Sequence, residues 1–279
     1  MATNLSYDVL IADPIPQNVD ALVPNGDHYM WSPQSTTLIF GEHQAVLVDP
    51  PFTTKQVHDV IDWVRSSGRN LTHIYITHGH GDHWFTAGVL ADRFHARVVA
   101  TAGTIELMHR EVANREALWD KLFPGQIPAA EVTATPPEDN HITLEGHSLW
   151  AVEVGHSDTD DTTVLHVPSL DLVVGGDVIY NGVHQYLAES AGGGLRKWLE
   201  AVDVVESLEP LRIVAGHKDR NLDDAGPRAI TQTRDYLRSA EELRAGCGTA
   251  REFFSAMSER YPTRLNPTAL WMGATALYR

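Results

Sequence analysis

Short apolar runs and amphipathic stretches alternate along this chain, and their order predicts a layered α/β protein. Residues 36–40 and 45–48 are apolar and rich in β-branched side chains, with the turn-like Gly41-Glu42-His43 between them, which predicts a β-hairpin. Residues 53–65 then place Val57, Val60, Ile61 and Val64 at helical spacing ahead of a Ser66-Ser67-Gly68 stop, and residues 74–77 return to a buried strand. Strand, helix, strand is the unit from which layered α/β folds are built. After a polar loop over 78–83, a helix is expected over 84–94, a strand over 97–100 and a helix over 104–122. Residues 124–137, with four prolines, read as a loop available to cover a site.

The middle of the chain changes character. Strands are expected over 142–144, 148–154, 162–167 and 172–174, separated by turns such as Glu145-Gly146 and Pro168-Ser169, and these predict a second sheet. Helix returns over 195–208, strand over 212–215, and a long helix over 227–244 opens on a proline. Helical stretches over 249–260 and 268–278 close the sequence. Strand clusters in both halves, each followed by helices, predict two sheets packed face to face with helices outside.

Composition narrows the function. With 279 residues and 43% hydrophobic content, the chain can bury a full core. Lys and Arg total 21 against 37 Asp and Glu, a net charge of -16, so a nucleic-acid backbone would meet a repulsive field, and no basic run offsets it. The expected partner is a small-molecule substrate rather than nucleic acid. The single cysteine, Cys247, offers no intrachain disulfide and no thiolate metal site, which fits a reducing, cytoplasmic setting. The opening MATNLSYDVLIADP lacks a basic then apolar leader pattern, and no run is long enough to span a bilayer, so no membrane association is expected. The sequence leaves oligomeric state open.

Histidine is over-supplied at 15 residues, and neutral imidazole is a nitrogen ligand for zinc. Most, such as His28, His58 and His95, have no companion at ligand spacing and read as surface or packing residues. The segment Thr77-His78-Gly79-His80-Gly81-Asp82-His83 is different: it crowds four ligand-type side chains between an apolar strand and a helix. His78 and His80 alternate and can grip one ion from an extended loop, Asp82 and His83 can turn toward a second, and the glycines leave the backbone free to bend. His156, Asp177 and His217 each follow a glycine just beyond an apolar strand. Taken singly, either histidine also fits a hydrogen-bonded core residue and Asp177 a helix cap.

THGHGDH, then Gly-His-Ser at 155–157, Gly-Gly-Asp at 175–177 and Gly-His at 216–217, in this order, resemble the metallo-β-lactamase superfamily. The resemblance implies an αββα sandwich of two mixed sheets with outer helices, a single domain over 1–279, its motif core at 36–217 and C-terminal helices at 226–279. It implies one ion on His78, His80 and His156, a second on Asp82, His83 and His217, Asp177 bridging, and Asp49 supporting the ligands from behind. The bridging aspartate resembles lactonases and glyoxalase II-like thioesterases, whereas antibiotic-degrading members usually carry cysteine or serine near that point. Tyr180 resembles the tyrosine that assists ring opening in acyl-homoserine lactonases, where its hydroxyl would donate to a developing oxyanion; filling the core is its other reading. One departure stands out. After His156 the chain reads Ser-Asp-Thr-Asp-Asp-Thr, where relatives often have a proline-glycine-flanked turn.

The implied chemistry is metal-assisted hydrolysis of an ester-type carbonyl, a lactone above all, with thioester or lactam as alternatives. Two zinc ions about 3.5–4 Å apart would share a hydroxide formed near neutral pH, and Asp82 would orient it or relay its proton. Histidine and aspartate ligands suit iron, and carboxylate ligands manganese, so an iron-dependent oxidoreductase on the same fold is the reading from another class. A metal-stabilised binding protein is a third. Trp31, Phe52, Trp84, Phe85, His184, Tyr186 and Lys218 lie near the motifs in sequence and are candidates to line the substrate side.

Overall fold

In the first sheet, successive side chains along each strand feed two different cores. Ile39, Val46, Val48, Tyr75 and Val99 face the second sheet, while their neighbours Leu38, Ala45, Leu47, Ile74 and Val98 pack outward against helices. That period-two division is what makes a strand buried on both faces read as a continuous apolar run. A computed structural model describes residues 4–129 and 131–279; residues 1–3, at the start of the segment expected to carry no leader, and residue 130, within the expected loop 124–137, lie outside the described residues.

The first half supplies β1 (Ser6–Ala12), β2 (Gln34–Phe40), β3 (Gln44–Val48), α1 (Thr54–Ser66), β4 (Asn70–Tyr75), α2 (Ala87–Phe94) and β5 (Arg97–Val99). These five strands form one sheet in the order β1-β2-β3-β4-β5, antiparallel from β1 to β3 and parallel from β3 to β5. The expected hairpin is β2–β3, with Thr37 opposite Val48 and Phe40 opposite Ala45. Thr53 caps α1 reciprocally with Gln56, a capping box, and Val57, Val60, Ile61 and Val64 are its buried face. Then follow α3 (Ala102–Asn114) and α4 (Trp119–Leu122).

The helix expected over 104–122 is therefore broken. A 3-10 turn at Arg115–Ala117 interrupts it, and Arg115 turns its guanidinium onto the carbonyls of Pro128 and Ile127 at 2.6 and 2.9 Å. The break rolls Trp119 inward against Trp31, Phe52 and Phe85, an aromatic cluster whose burial outweighs helix continuity. The described residues of the 124–137 segment pack beside β5 and the start of α1, with Thr54 N–H donating to Gln126 O and Thr135 bridging Val99. They cover no part of the site described below.

The second half supplies β6 (His141–Leu144), β7 (His147–Gly155), β8 (Thr162–Val167), β9 (Leu172–Asn181), α5 (Gly194–Ser207), β10 (Arg212–Lys218), α6 (Gly226–Gly246), α7 (Ala250–Arg260) and α8 (Pro267–Leu277). The sheet runs β10-β9-β8-β7-β6, with only the β10–β9 pair parallel. Leu149, Leu165, Val167, Leu172, Val174 and Val214 meet the first sheet, and Val164, Val173 and Ile213 face outward toward α5 and α6. Two mixed five-stranded sheets lie between outer helices, as the αββα expectation required. No helix among the described residues is long and apolar enough to cross a membrane.

His184 sits buried behind β9, its Nδ1 3.0 Å from the Tyr236 hydroxyl. Burial, with the Arg264 guanidinium adding, pushes its pKa down from 6.5 to about 3. The unfolded chain therefore binds this proton more readily than the fold does, and the stability lost begins as pH falls below 6.5 toward about 3. Urea unfolding of His184→Gln should show a shallower loss of stability between pH 6.5 and about 5 than the parent chain, by up to about 1.4 kcal/mol per pH unit. Identical pH slopes would show that His184 titrates freely.

Candidate metal centre

The ligand-rich loop is fixed at the seam between the sheets. Beyond β4, Thr77 N–H and hydroxyl donate to the two Asp49 carboxylate oxygens at 2.9 and 2.6 Å, and the Thr77 carbonyl accepts from Thr163 N–H and hydroxyl at 2.9 and 2.7 Å. Asp49 belongs to the first sheet's end and Thr163 to β8 of the second, so one threonine ties both layers where the loop begins. Trp84 Nε1 donates to Gly79 O at 2.9 Å, and Gly81–His83 form a 3-10 turn. The glycines serve close packing rather than bending: a Cβ on Gly79 would strike Leu107 and one on Gly81 would strike Phe85.

Four histidines share one design. His83 Nδ1 lies 3.1 Å from Asp49 Oδ2, His217 Nδ1 3.0 Å from Pro33 O, His78 Nδ1 3.0 Å from Thr77 Oγ1, and His80 Nε2 2.9 Å from Glu189 Oε1. Each ring is pinned through its outer nitrogen, leaving the inner one turned to the centre, the way imidazole ligands are oriented from behind. Asp49, which the resemblance expects behind the ligands, lies against Thr77 and the outer nitrogen of His83.

Inside, the ligand atoms gather in two main groups, Asp82 with His83 and His217, and His78 with His80 and Asp158; the atoms of each lie within 4.8 Å of one another. Asp177 stands beside the first group, with Oδ1 3.3 Å from His83 Nε2 and Oδ2 3.3 Å from His217 Nε2. It is no helix cap. It lies within β9, which the sequence reading ended at Val174; shifted pairing between Ala215 and His217 of β10 lets β9 bulge there and turn Asp177 inward. Gly216 on β10 must be glycine, because a Cβ would run into Asp177 Oδ1. Asp82 Oδ2 accepts from Trp31 Nε1 at 2.8 Å and lies 3.4 Å from His217 Nε2.

Charge at this centre is unbalanced toward a cation. Burial pushes the imidazolium of His217 down, yet Asp177 and Asp82 prevail and hold it at about 10; Asp82 and Asp177 likewise hold His83 well above the usual range against burial. Burial raises the Asp177 carboxyl, but His217 and His83 keep it far below the usual carboxylate range. His78 Nε2, His83 Nε2, Asp158 Oδ2 and Asp177 Oδ1 are buried without a hydrogen-bond partner. Buried polar atoms left unpaired are costly, and a set of imidazole nitrogens and carboxylate oxygens converging on the same space is what a divalent ion satisfies.

Two expectations change. His156 falls outside the group of His78 and His80: its Nδ1 lies 2.7 Å from Asp160 Oδ1, and its Nε2, buried without a hydrogen-bond partner, lies beside Gly194. Tyr180 reaches the centre, but its hydroxyl donates to Asp177 Oδ2 at 2.6 Å, and one proton cannot also serve a developing oxyanion. Of the residues chosen for proximity, Trp31 and Tyr186 line the cavity beside the centre. Phe52, Trp84, Phe85, His184 and Lys218 are buried elsewhere, Lys218 paired with Asp224. Asp158, Glu189 and Glu111 were missed. The Ser-Asp-Thr-Asp-Asp-Thr run carried the only available signal for Asp158.

A cavity opens beside the two ligand groups. Met30, Trp31, Leu118, Trp119 and Met272 form an apolar wall, Asp82, Asp158, Asp177, Glu111 and Glu189 supply carboxylates, and no Lys or Arg lines it among the described residues. Glu111 accepts from Trp119 Nε1 at 2.5 Å, and burial raises its pKa.

Comparison with known proteins agrees with this geometry. The Metallo-beta-lactamase superfamily model matches residues 29–217. A Metallo-beta-lactamase type 2 from Bacteroides fragilis is 23% identical over 190 residues, 67% of this chain and 70% of that protein. A Ribonuclease J from Methanocaldococcus jannaschii is 35% identical over 107 residues, 37% of this chain and only 22% of that protein's length. Among solved structures, a metallo-beta-lactamase family protein from Thermus thermophilus superposes with a TM-score of 0.65 at 16% identity, covering 96% of this chain and 91% of that one. A metallo-beta-lactamase from Pontibacter korlensis superposes with a TM-score of 0.61 at 15% identity, covering 85% and 96%. With the family model spanning well over half of the sequence and the two-sheet fold shared, the chain belongs to the metallo-beta-lactamase superfamily.

Proposed function

We propose that this protein is a dinuclear metal-dependent hydrolase, zinc-loaded in the first instance, that opens an uncharged ester-type carbonyl, a lactone or related cyclic ester, carried on an apolar body. The observation that carries the reading is the composition of the cavity beside the two ligand groups: an aromatic and thioether wall, several carboxylates and no lysine or arginine among the described lining residues. A substrate with an anionic group away from the reacting carbonyl, such as the carboxylate of a β-lactam antibiotic, finds no lysine or arginine among the described lining residues to receive that group, and Glu111 and Glu189, which stand outside the ligand groups, face the same cavity. A neutral ring meets no such penalty, and the apolar wall offers it burial.

Bound ions would polarise the carbonyl and ease deprotonation of water. The chain's own residues prepare for this. Trp31 Nε1 fixes Asp82 Oδ2, so Asp82 keeps one orientation at the edge of the cavity. Tyr180 holds Asp177 Oδ2, and Asp177 in turn faces both His83 and His217. Tyr180 therefore acts in this reading as a positioning residue for Asp177.

Two measurements bear on this. Tyr180→Phe should weaken metal affinity about 10- to 100-fold, the usual effect of losing a group that orients a ligand, and turnover should recover with excess metal. A fall in kcat with metal affinity unchanged would return Tyr180 to the oxyanion role. On a panel of lactones differing only in the acyl tail, kcat/KM for a carboxylate-bearing member should lie at least about tenfold below that for its neutral counterpart. A preference for the carboxylate would discard the uncharged-substrate reading.

A further inference from the structure

Resting on the metallohydrolase reading, we propose that Asp158, and not His156, supplies the third protein ligand to the ion held by His78 and His80. Asp158 is fully buried, and its Oδ2 lies 2.8 Å from His80 Nδ1 and 3.7 Å from His78 Nε2. The shorter approach lacks hydrogen-bond geometry, and both Asp158 Oδ2 and His78 Nε2 are orphaned buried atoms. Three ligand atoms that lie together and leave two of their number without a partner describe a cation site rather than a hydrogen-bonded cluster.

The surrounding turn is built to present that oxygen. Ser157 hydroxyl donates to Asp158 Oδ1 at 2.9 Å, which occupies one carboxylate oxygen and turns Oδ2 toward the imidazoles. Ser157 N–H donates to Thr159 O at 2.8 Å, closing the turn, and Thr162 hydroxyl donates to Thr159 O at 3.1 Å. Glu189 joins turn to ligand: one oxygen receives Thr159 Oγ1 at 2.8 Å and the other lies 2.9 Å from His80 Nε2. The same turn draws His156 away, because Asp160 holds its Nδ1 and directs Nε2 toward Gly194, where even a Cβ would lie 2.7 Å from it. The run after His156 thus divides its aspartates, Asp158 to the ion and Asp160 to the displaced histidine.

Both ions would then sit on two imidazoles and one carboxylate, with Asp177 beside the second. Replacing an imidazole by a carboxylate moves the first site toward metals that favour oxygen, so manganese and iron gain on zinc relative to a three-histidine site.

The test uses the full chain, stripped of metal and reconstituted with Co²⁺, with bound metal measured by elemental analysis alongside the visible cobalt spectrum. The parent should hold about two equivalents. Asp158→Asn should hold about one and lose part of the cobalt absorption, while His156→Gln should keep about two with its spectrum little changed. Retention of both ions by Asp158→Asn overturns the assignment. So does loss of an ion by His156→Gln, a result that stands even where Asp158→Asn fails to fold. A parent chain that takes up no metal would instead overturn the metallohydrolase reading beneath it.

Discussion

The site depends on one buried carboxylate. Asp49, at the end of β3 and in the left-handed region at φ 51°, receives the backbone N–H and hydroxyl of Thr77 and faces Nδ1 of His83. A single side chain therefore fixes where β4 hands over to the ligand loop, how that loop turns, and which nitrogen of His83 is presented to the centre. Thr77 carries the constraint across to Thr163 on the second sheet. The loop is thereby set at the junction of both sheets, which is where β9 and β10 deliver Asp177 and His217. Such a carboxylate is unfavourable to bury unless its oxygens are fully used, and here they receive two hydrogen bonds and an imidazole.

The same balance of charge explains why the centre suits an ion. Carboxylates and imidazoles are packed at distances of 3.3–3.7 Å, too long for good hydrogen bonds and too close for indifference. Protons on His83 and His217 can take the part of the cation, as their raised pKa values record. Metal uptake would replace those protons, so ion binding and the local protonation state are one equilibrium.

Much of this was legible in the sequence because it follows from periodicity and from ligand density. The β2–β3 hairpin, the capped α1 with its four buried aliphatic residues, and the crowding at 78–83 each have a local cause. What was not legible depended on partners distant in sequence. Strand β1 is a half-exposed edge whose pairing with β2 gives it order. The break between α3 and α4 is set by Arg115 meeting carbonyls of the following loop and by Trp119 joining aromatics from two other segments. Choosing between His156 and Asp158 was beyond sequence reading for a similar reason. The two are neighbours in one turn, and which of them faces His80 is decided by Asp160, Thr159 and Glu189 acting together.

The cavity's far wall shows why family membership fixes so little about substrate. The ligand groups lie between residues 49 and 217, on strands and on the loops that join them, all within the stretch that the family model spans. Thr268, Ala269 and Met272, which complete the cavity, come from α8, beyond the last matched residue. That helix is locked to the segment entering β2: Met30 N–H donates to Thr268 Oγ1 at 3.0 Å, and Asn266 contacts Ser32. Trp31 lies between these two contacts and touches Asp82 directly. A change in α8 can therefore reshape the apolar wall and shift Trp31 against Asp82 while leaving every ligand in place. The wall that a substrate in this cavity would meet is thus built by α8 together with segments inside the matched region.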